Sequence, residues 1–169
     1  SFTPDTNYLL GETAEINNFF VCCGFNSIGI GSAGGAGKAT AEWMINGHTT
    51  QDLYSLDVKR FEKFNSSLKF IKERVTESLG NLFKMHWPYK QLTTSRNIKL
   101  LPYHQNLKKL GACFGQMAGH ERPMWFSRSK KPIYKYSYNK QNWYSSAKKE
   151  SLSTRKNLSL FELTPFVKF

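Results

Sequence analysis

Residues 24–43 read GFNSIGIGSAGGAGKATAEW, with glycines at 24, 29, 31, 34, 35 and 37 ahead of a segment of helical composition. The stretch satisfies one nucleotide-binding pattern and nearly satisfies a second. Gly29-Ile30-Gly31-Ser32-Ala33-Gly34 is a literal G-x-G-x-x-G, and Gly37-Lys38 matches the end of a P-loop. A dinucleotide fingerprint needs a strand before it, a helix after it, and a second buried strand ending in an acid about 20 residues on. The first two are in place: NFFVCCGF (18–25) reads as a strand covered on both faces, and KATAEWMI (38–45) as a helix closed by Asn46-Gly47. The continuation HTTQDLYSLDVKRF (48–61) is polar and holds no buried parallel strand, so Asp52 and Asp57 lack the required setting. A P-loop needs Gly at 32 and a hydroxyl at 39, where this chain has Ser32 and Ala39, and Thr40 comes one residue late. What both patterns share still applies. Amides at a helix start, and the positive end of its dipole, face something electron-rich that glycines allow to approach. A glycine-lined helix–sheet contact without a ligand accounts for the composition equally well.

The chain has 169 residues, enough for one domain or two partial ones, and its 40% hydrophobic and 15% aromatic content suits a packed protein. It contains neither an apolar run of about 18 residues nor a basic-then-apolar leader pattern, so no membrane partner is expected. Cys22, Cys23 and Cys113 are odd in number and two are adjacent, which suits neither a disulfide framework nor a metal site. They read as reduced, buried thiols in a cytoplasmic or matrix-like compartment. The four histidines (His48, His86, His104, His120) are scattered, and no nucleophile–base motif is present, so no metal and no self-contained catalytic set is expected.

Charge is unevenly spread. Residues 1–58 carry a net −5 and residues 59–169 a net +17. Such a polarity raises nucleic-acid binding, a reading that predicts a steep loss of affinity with salt. Solvated decoration is the simpler account, because the charges are dispersed and no nucleic-acid-binding signature accompanies them.

Along the chain, YLLGE (8–12) reads as a short buried strand. From Ser66, Leu68, Ile71, Val75, Leu79 and Leu82 step along one helical face, leaving Lys69, Lys72, Glu73 and Arg74 to solvent. A short helix capped by Gly111, a strand at 112–117, an ordered turn at Pro123, a polar aromatic stretch to about 138, a helix within 140–157 and a strand at LSLFEL (158–163) follow. Opening in the turn-like SFTPDTN and closing in the apolar LFELTPFVKF, the chain reads as a piece of a longer protein, with apolar surface left exposed.

Several of these stretches resemble one family. T-P-D (3–5), L-x-G-E (9–12), G-F-N-S-x-G (24–29) and G-G-x-G-x-x-x-A-x-W (34–43) are similar to the end of the flavin domain of dimethylglycine and sarcosine dehydrogenase-like enzymes. DLYSLDVKRF (52–61) resembles the start of their middle domain, and the run from Ser95 to E-R-P-x-W-F (121–126) is characteristic of them. LSLFELTPFVKF (158–169) resembles the opening of their folate-binding domain, akin to the glycine-cleavage T protein. The likeness is weakest at 127–140.

The resemblance implies an α+β fold made of pieces of three domains: residues 1–48 from an FAD-dependent oxidoreductase domain, 49–108 from a middle connector, and 109–169 from an aminomethyltransferase-like domain. It implies FAD and tetrahydrofolate as cofactors, both sites being incomplete here. The implied substrate is a small N-methyl amine, and the implied electron acceptor is an electron-transfer flavoprotein or oxygen. Phe25, Asn26, Ser27, Ile28, Gly29 and Ile30 match the segment placed beside the isoalloxazine ring, with Asn26 and Ser27 also readable as turn formers. Thr3-Pro4-Asp5 is expected to shape the site's wall. The fingerprint for the ADP half and the amine-side catalytic groups belong upstream of Ser1, so no catalytic residue is expected in this chain. The basic half offers a surface for polyglutamylated folate. A non-catalytic relative, the regulatory subunit of pyruvate dehydrogenase phosphatase, shares the architecture and acts by protein interaction.

Overall fold

The computed structural model describes residues 1–117, 119–127 and 132–163. It is a mixture of short strands and helices in two compact units, Ser1–Lys84 and Met85–Phe169.

The first unit begins with a hairpin. β1 (Leu9–Glu12) pairs antiparallel with β2 (Phe20–Cys23), Leu9 opposite Cys23 and Glu12 opposite Phe20. α1 (Gly29–Asn46) follows and packs on both strands through Ala36, Thr40 and Trp43. Thr40 satisfies its buried hydroxyl by donating to the Ala36 carbonyl at 2.8 Å. Trp43 lies against Gly11, where a Cβ would come within 2.4 Å of the indole, and meets Phe20 edge-on at 6.1 Å. Gly47, with φ +72°, ends the helix in the left-handed conformation expected for Asn46-Gly47. Leu10 is the most buried apolar residue, 1% exposed, and its amide bonds the Leu56 carbonyl, bringing residues 53–61 alongside β1.

Three expectations need correction in this unit. Gly29, Gly31, Gly34, Gly35 and Gly37 lie inside α1, and the connection from β2 is only residues 24–28. β2 is not covered on both faces: Phe20 and Val21 are half-buried, whereas Cys22 and Cys23, which point to opposite faces, are both exposed at the end of a two-stranded hairpin. α2 (Leu68–Leu82) forms where the periodicity placed it, but its buried line is Phe70, Arg74 and Ser78. Leu68 is 85% exposed. Phe70 sets the rotation by meeting Phe64 edge-on at 5.4 Å, and the Arg74 guanidinium lies 5.3 Å from the Phe70 ring, which removes Arg74 from solvent.

In the second unit, β3 (Lys99–Leu100), β5 (His120–Phe126) and β4 (Ala112–Met117) form a three-stranded sheet in that order. β3 runs parallel and β4 antiparallel to β5. α3 (His104–Lys109) leads through Leu110 to Gly111, whose φ of +87° and close approach to the Ser127 carbonyl leave no room for a Cβ. Pro123, expected to make a turn, lies within β5. It is tolerated there because β3 pairs only as far as Glu121 and the β4 register slips beside it, so the missing N–H breaks no ladder. α4 (Tyr144–Lys156) forms within the expected range. Residues 158–163 are not a strand: among the described residues no edge takes them, and Leu158 and Leu160 are fully exposed. The rest of the apolar C-terminal run, 164–169, lies outside the described residues, as do 128–131 of the polar stretch.

The core of this unit holds Leu101, Ala112, Cys113 and Trp125 together with an ion pair. Glu121, 1% exposed, binds the Arg96 guanidinium through Nε at 2.8 Å and through Nη2, and accepts the Asn97 amide at 2.8 Å. Arg96 also donates to the carbonyls of Leu92 and Phe114. Burial works to raise the Glu121 pKa, but the hydrogen bonds from Arg96 and Asn97 outweigh it and hold the carboxyl below its ordinary range. Burial pushes the neighbouring Cys113 thiol up to about 11, so this cysteine, unlike Cys22 and Cys23, is the buried thiol that was expected.

Because its folded-state pKa is lowered, Glu121 contributes stability that is fully present above the unfolded value near 4.5 and is lost as pH falls through the folded value. Denaturant unfolding monitored by the fluorescence of the second unit should show this acid limb. Glu121→Gln should flatten it and lower stability at neutral pH by about 3 kcal/mol, since it strands a partly buried guanidinium.

Candidate functional site

The five residues between β2 and α1 must reverse the chain, and three of them do so with positive φ: Gly24 at +69°, Asn26 at +50° and Ser27 at +70°. Asparagine tolerates this region better than most residues, whereas serine pays a steric cost. Asn26 is 5% exposed and its side chain is fully engaged. Its Oδ1 accepts the Thr3 amide at 2.8 Å, and its Nδ2 donates to the Gly24 carbonyl at 2.6 Å and to Thr3 Oγ1 at 3.1 Å. Thr3 Oγ1 in turn donates to the Asn7 carbonyl at 2.7 Å.

The T-P-D turn is therefore a junction. Asp5 receives Arg60 in a two-point ion pair, Nε to Oδ2 at 2.7 Å and Nη2 to Oδ1 at 3.1 Å. Arg60 also donates to the Leu56, Asp57 and Asn7 carbonyls, and its guanidinium lies 4.3 Å from the Phe61 ring. Ser78 of α2 donates to the Pro4 carbonyl at 2.6 Å. Arg60 was not singled out from the sequence, and no spacing signals it, because its partner is 55 residues away.

The six residues matched to a flavin-contacting segment are contiguous but differently disposed. Asn26 is a buried brace whose side chain points at Thr3. Phe25 is half-buried and stacks on Tyr8 at 4.8 Å. Ser27 and Ile28 are exposed, Gly29 is half-buried, and Ile30 is fully exposed. α1 starts beside them with no side-chain cap and no acidic residue in its first turn. Its leading amides at Gly29, Ile30 and Gly31 precede the first intrahelical acceptor bond, from the Ser32 amide to the Ile28 carbonyl. A Cβ placed at Gly31, Gly34, Gly35 or Gly37 would meet nothing within 4 Å. The glycines therefore do not line a helix–sheet contact within this chain; Ala36, Thr40 and Trp43 make that contact. What remains is an open, uncapped helix start, suited to an electron-rich group. The T-P-D turn also borders a cleft of about 520 Å³ walled by Phe2, Leu9, Val58, Phe61 and Ile71. Among the described residues no group of three or more His, Cys, Asp or Glu side chains is placed to hold a metal, and no helix is long and apolar enough to cross a membrane.

Asn26→Ala should lower the stability of the first unit by about 3 kcal/mol, because it leaves the buried Thr3 amide and Gly24 carbonyl without partners. Ser27→Gly should raise it by about 0.5–1 kcal/mol by relieving the positive φ at an exposed position. Thermal unfolding of the two variants checks the opposite signs.

Residues 46–100 match the family model described as the FAD dependent oxidoreductase central domain. The whole chain is 45% identical to 4-methylaminobutanoate oxidase (formaldehyde-forming) of Paenarthrobacter nicotinovorans, of which it covers 21%. Over 82% of its length it is 36% identical to human mitochondrial sarcosine dehydrogenase, covering 15% of that protein. Over its whole length it is 30% identical to the mitochondrial regulatory subunit of pyruvate dehydrogenase phosphatase from Mus musculus, covering 20% of it. The chain thus spans about a fifth of the length of the curated relatives it matches. Residues 46–100 thus carry the FAD-dependent oxidoreductase central domain, and the chain is a relative of 4-methylaminobutanoate oxidase, sarcosine dehydrogenase and dimethylglycine dehydrogenase.

Proposed function

We propose that this chain is part of an FAD-dependent enzyme that oxidises small N-methyl amines of the sarcosine or dimethylglycine type. The observation that carries the reading is the uncapped start of α1 behind the braced Gly24–Ile28 turn. Bound FAD would supply the two-electron acceptor for the N-methyl C–H bond. The residues of this chain hold and tune that acceptor. The amides of Gly29, Ile30 and Gly31, with the helix dipole behind them, favour negative charge at the helix start. Asn26 holds the turn that aims them. Ser27 presents a hydroxyl beside the same spot, and Ile28 and Ile30 present exposed apolar surface next to it. Thr3 and Pro4 wall a cleft of small-molecule size next to the brace, which fits a role for the T-P-D turn in shaping the amine side.

In this reading residues 1–48 complete the flavin domain, 49–108 form the connector, and 109–169 open a folate domain in which tetrahydrofolate takes up the one-carbon unit. The folate assignment rests on the resemblance of the C-terminal stretch. An electron-transfer flavoprotein or oxygen completes the redox cycle, in the mitochondrial matrix or, in a bacterium, the cytoplasm.

A second reading has its own support. Whole-chain identity of 30% to a phosphatase regulatory subunit is compatible with a protein that keeps the architecture and works by binding. The complete gene product separates the two. It should purify with a flavin absorbance that sarcosine, dimethylglycine or 4-methylaminobutanoate bleaches without oxygen. A flavin-loaded protein bleached by none of the three would point to the regulatory reading. In the bleachable enzyme, Ser27→Pro should slow reduction at least tenfold by misdirecting the start of α1.

A further inference from the structure

We propose that the outer face of α4 docks an acidic protein surface that carries an apolar side chain at its centre. α4 runs from Tyr144 to Lys156 and contains no buried residue. At 3.6 residues per turn, Lys148, Lys149, Leu152, Arg155 and Lys156 fall within an arc of about 120°. All five are exposed. The helix's one carboxylate, Glu150, lies on the opposite side, where it accepts the Phe126 amide of β5 at 2.8 Å and fixes which way the helix faces. Among the described residues none of the four cations has an ion-pair partner. The helix dipole accounts for Arg155 and Lys156 in the last turn, but not for Lys148 and Lys149 in the middle.

The surroundings of the face select the kind of partner. Leu152, 47% exposed, sits at the centre of the cationic arc, an apolar contact ringed by charge, as protein interfaces are built. Nucleic acid is disfavoured, because none of the five side chains of the arc is an aromatic ring on which a base could stack, and a leucine at its centre has no role against a phosphate backbone. A membrane surface is disfavoured too, since a single leucine gives the helix no apolar face to insert. Four of the 23 Lys and Arg side chains in residues 59–169 are thereby gathered into one oriented patch.

The test uses the complete gene product and fluorescence anisotropy with two labelled 13-residue peptides, six acidic residues on each side of a central Phe or a central Ser. The Phe peptide should bind more tightly than the Ser peptide, and binding should weaken as salt is raised. Lys148→Glu with Lys149→Glu should weaken it at least tenfold, whereas Lys69→Glu with Lys72→Glu on α2, an equal change in net charge, should alter it less than twofold. Leu152→Ser should abolish the preference for the Phe peptide. Equal affinity for both peptides, equal loss in the two double variants, or tighter binding of a 20-base-pair duplex or phosphatidylserine vesicles would each overturn the proposal. All substituted positions are exposed, and circular dichroism confirms that the variants fold.

Discussion

The hydrogen bonds between Thr3 and Asn26 are the constraint on which the first unit depends. A strand must hand over to a helix in five residues, and three of the five take backbone conformations that side-chain-bearing residues avoid. Such a turn persists only if something outside it over-determines it. Thr3 does so by engaging the whole Asn26 carboxamide, and it passes the constraint on. The same turn holds Arg60 through Asp5 and α2 through the Pro4 carbonyl. The direction in which α1 begins is thus set by residues more than 20 positions before it and 30 or more after it.

The second unit solves a different problem with the same type of group. Its small three-stranded sheet has a charged pair in its core beside Leu101, Ala112, Cys113 and Trp125. Glu121 lies on the central strand and gathers Arg96 and the Asn97 amide, so the segment before β3 is tied to β5. Arg96 reaches from there to the Phe114 carbonyl of β4. A buried pair of this kind adds little net stability compared with an apolar substitute, but it makes any other register expensive. That is consistent with Pro123 and a register slip being accommodated two residues away.

These braces bear on function because an electrostatic site is only as good as its aim. An uncapped helix start favours negative charge where its amides converge, and loses most of that advantage if the first turn tilts. Gly31, Gly34, Gly35 and Gly37 leave one side of α1 without a packing neighbour within 4 Å, while the side facing the hairpin is packed by Ala36, Thr40 and Trp43. The helix therefore has one face committed to the fold and one available.

Local chemistry was readable in the amino-acid order. The Asn46-Gly47 helix end, the period of α2, the strand at 112–117 and the helix within 140–157 follow from periodicity and turn residues, which act over a few positions. The family motifs were readable for the same reason, being short and contiguous. Packing was not. Glycines 29–37 looked like a loop because helix propensity disfavours them, and only burial of Ala36, Thr40 and Trp43 against the hairpin offsets that cost. Arg74 looked solvated until Phe70 took the inner line of α2. Pro123 looked like a turn because nothing in the order of residues tells that its missing N–H faces no partner. Asp5–Arg60 and Arg96–Glu121 join residues 55 and 25 positions apart, and charge pairs at such separations leave no periodic trace. By itself the sequence determined the elements with strong local signals, among them α2, the strand at 112–117, α4 and the Asn46-Gly47 helix end, together with the family motifs. The tertiary structure alone decided which faces are inside, because burial depends on what the rest of the chain brings to each surface.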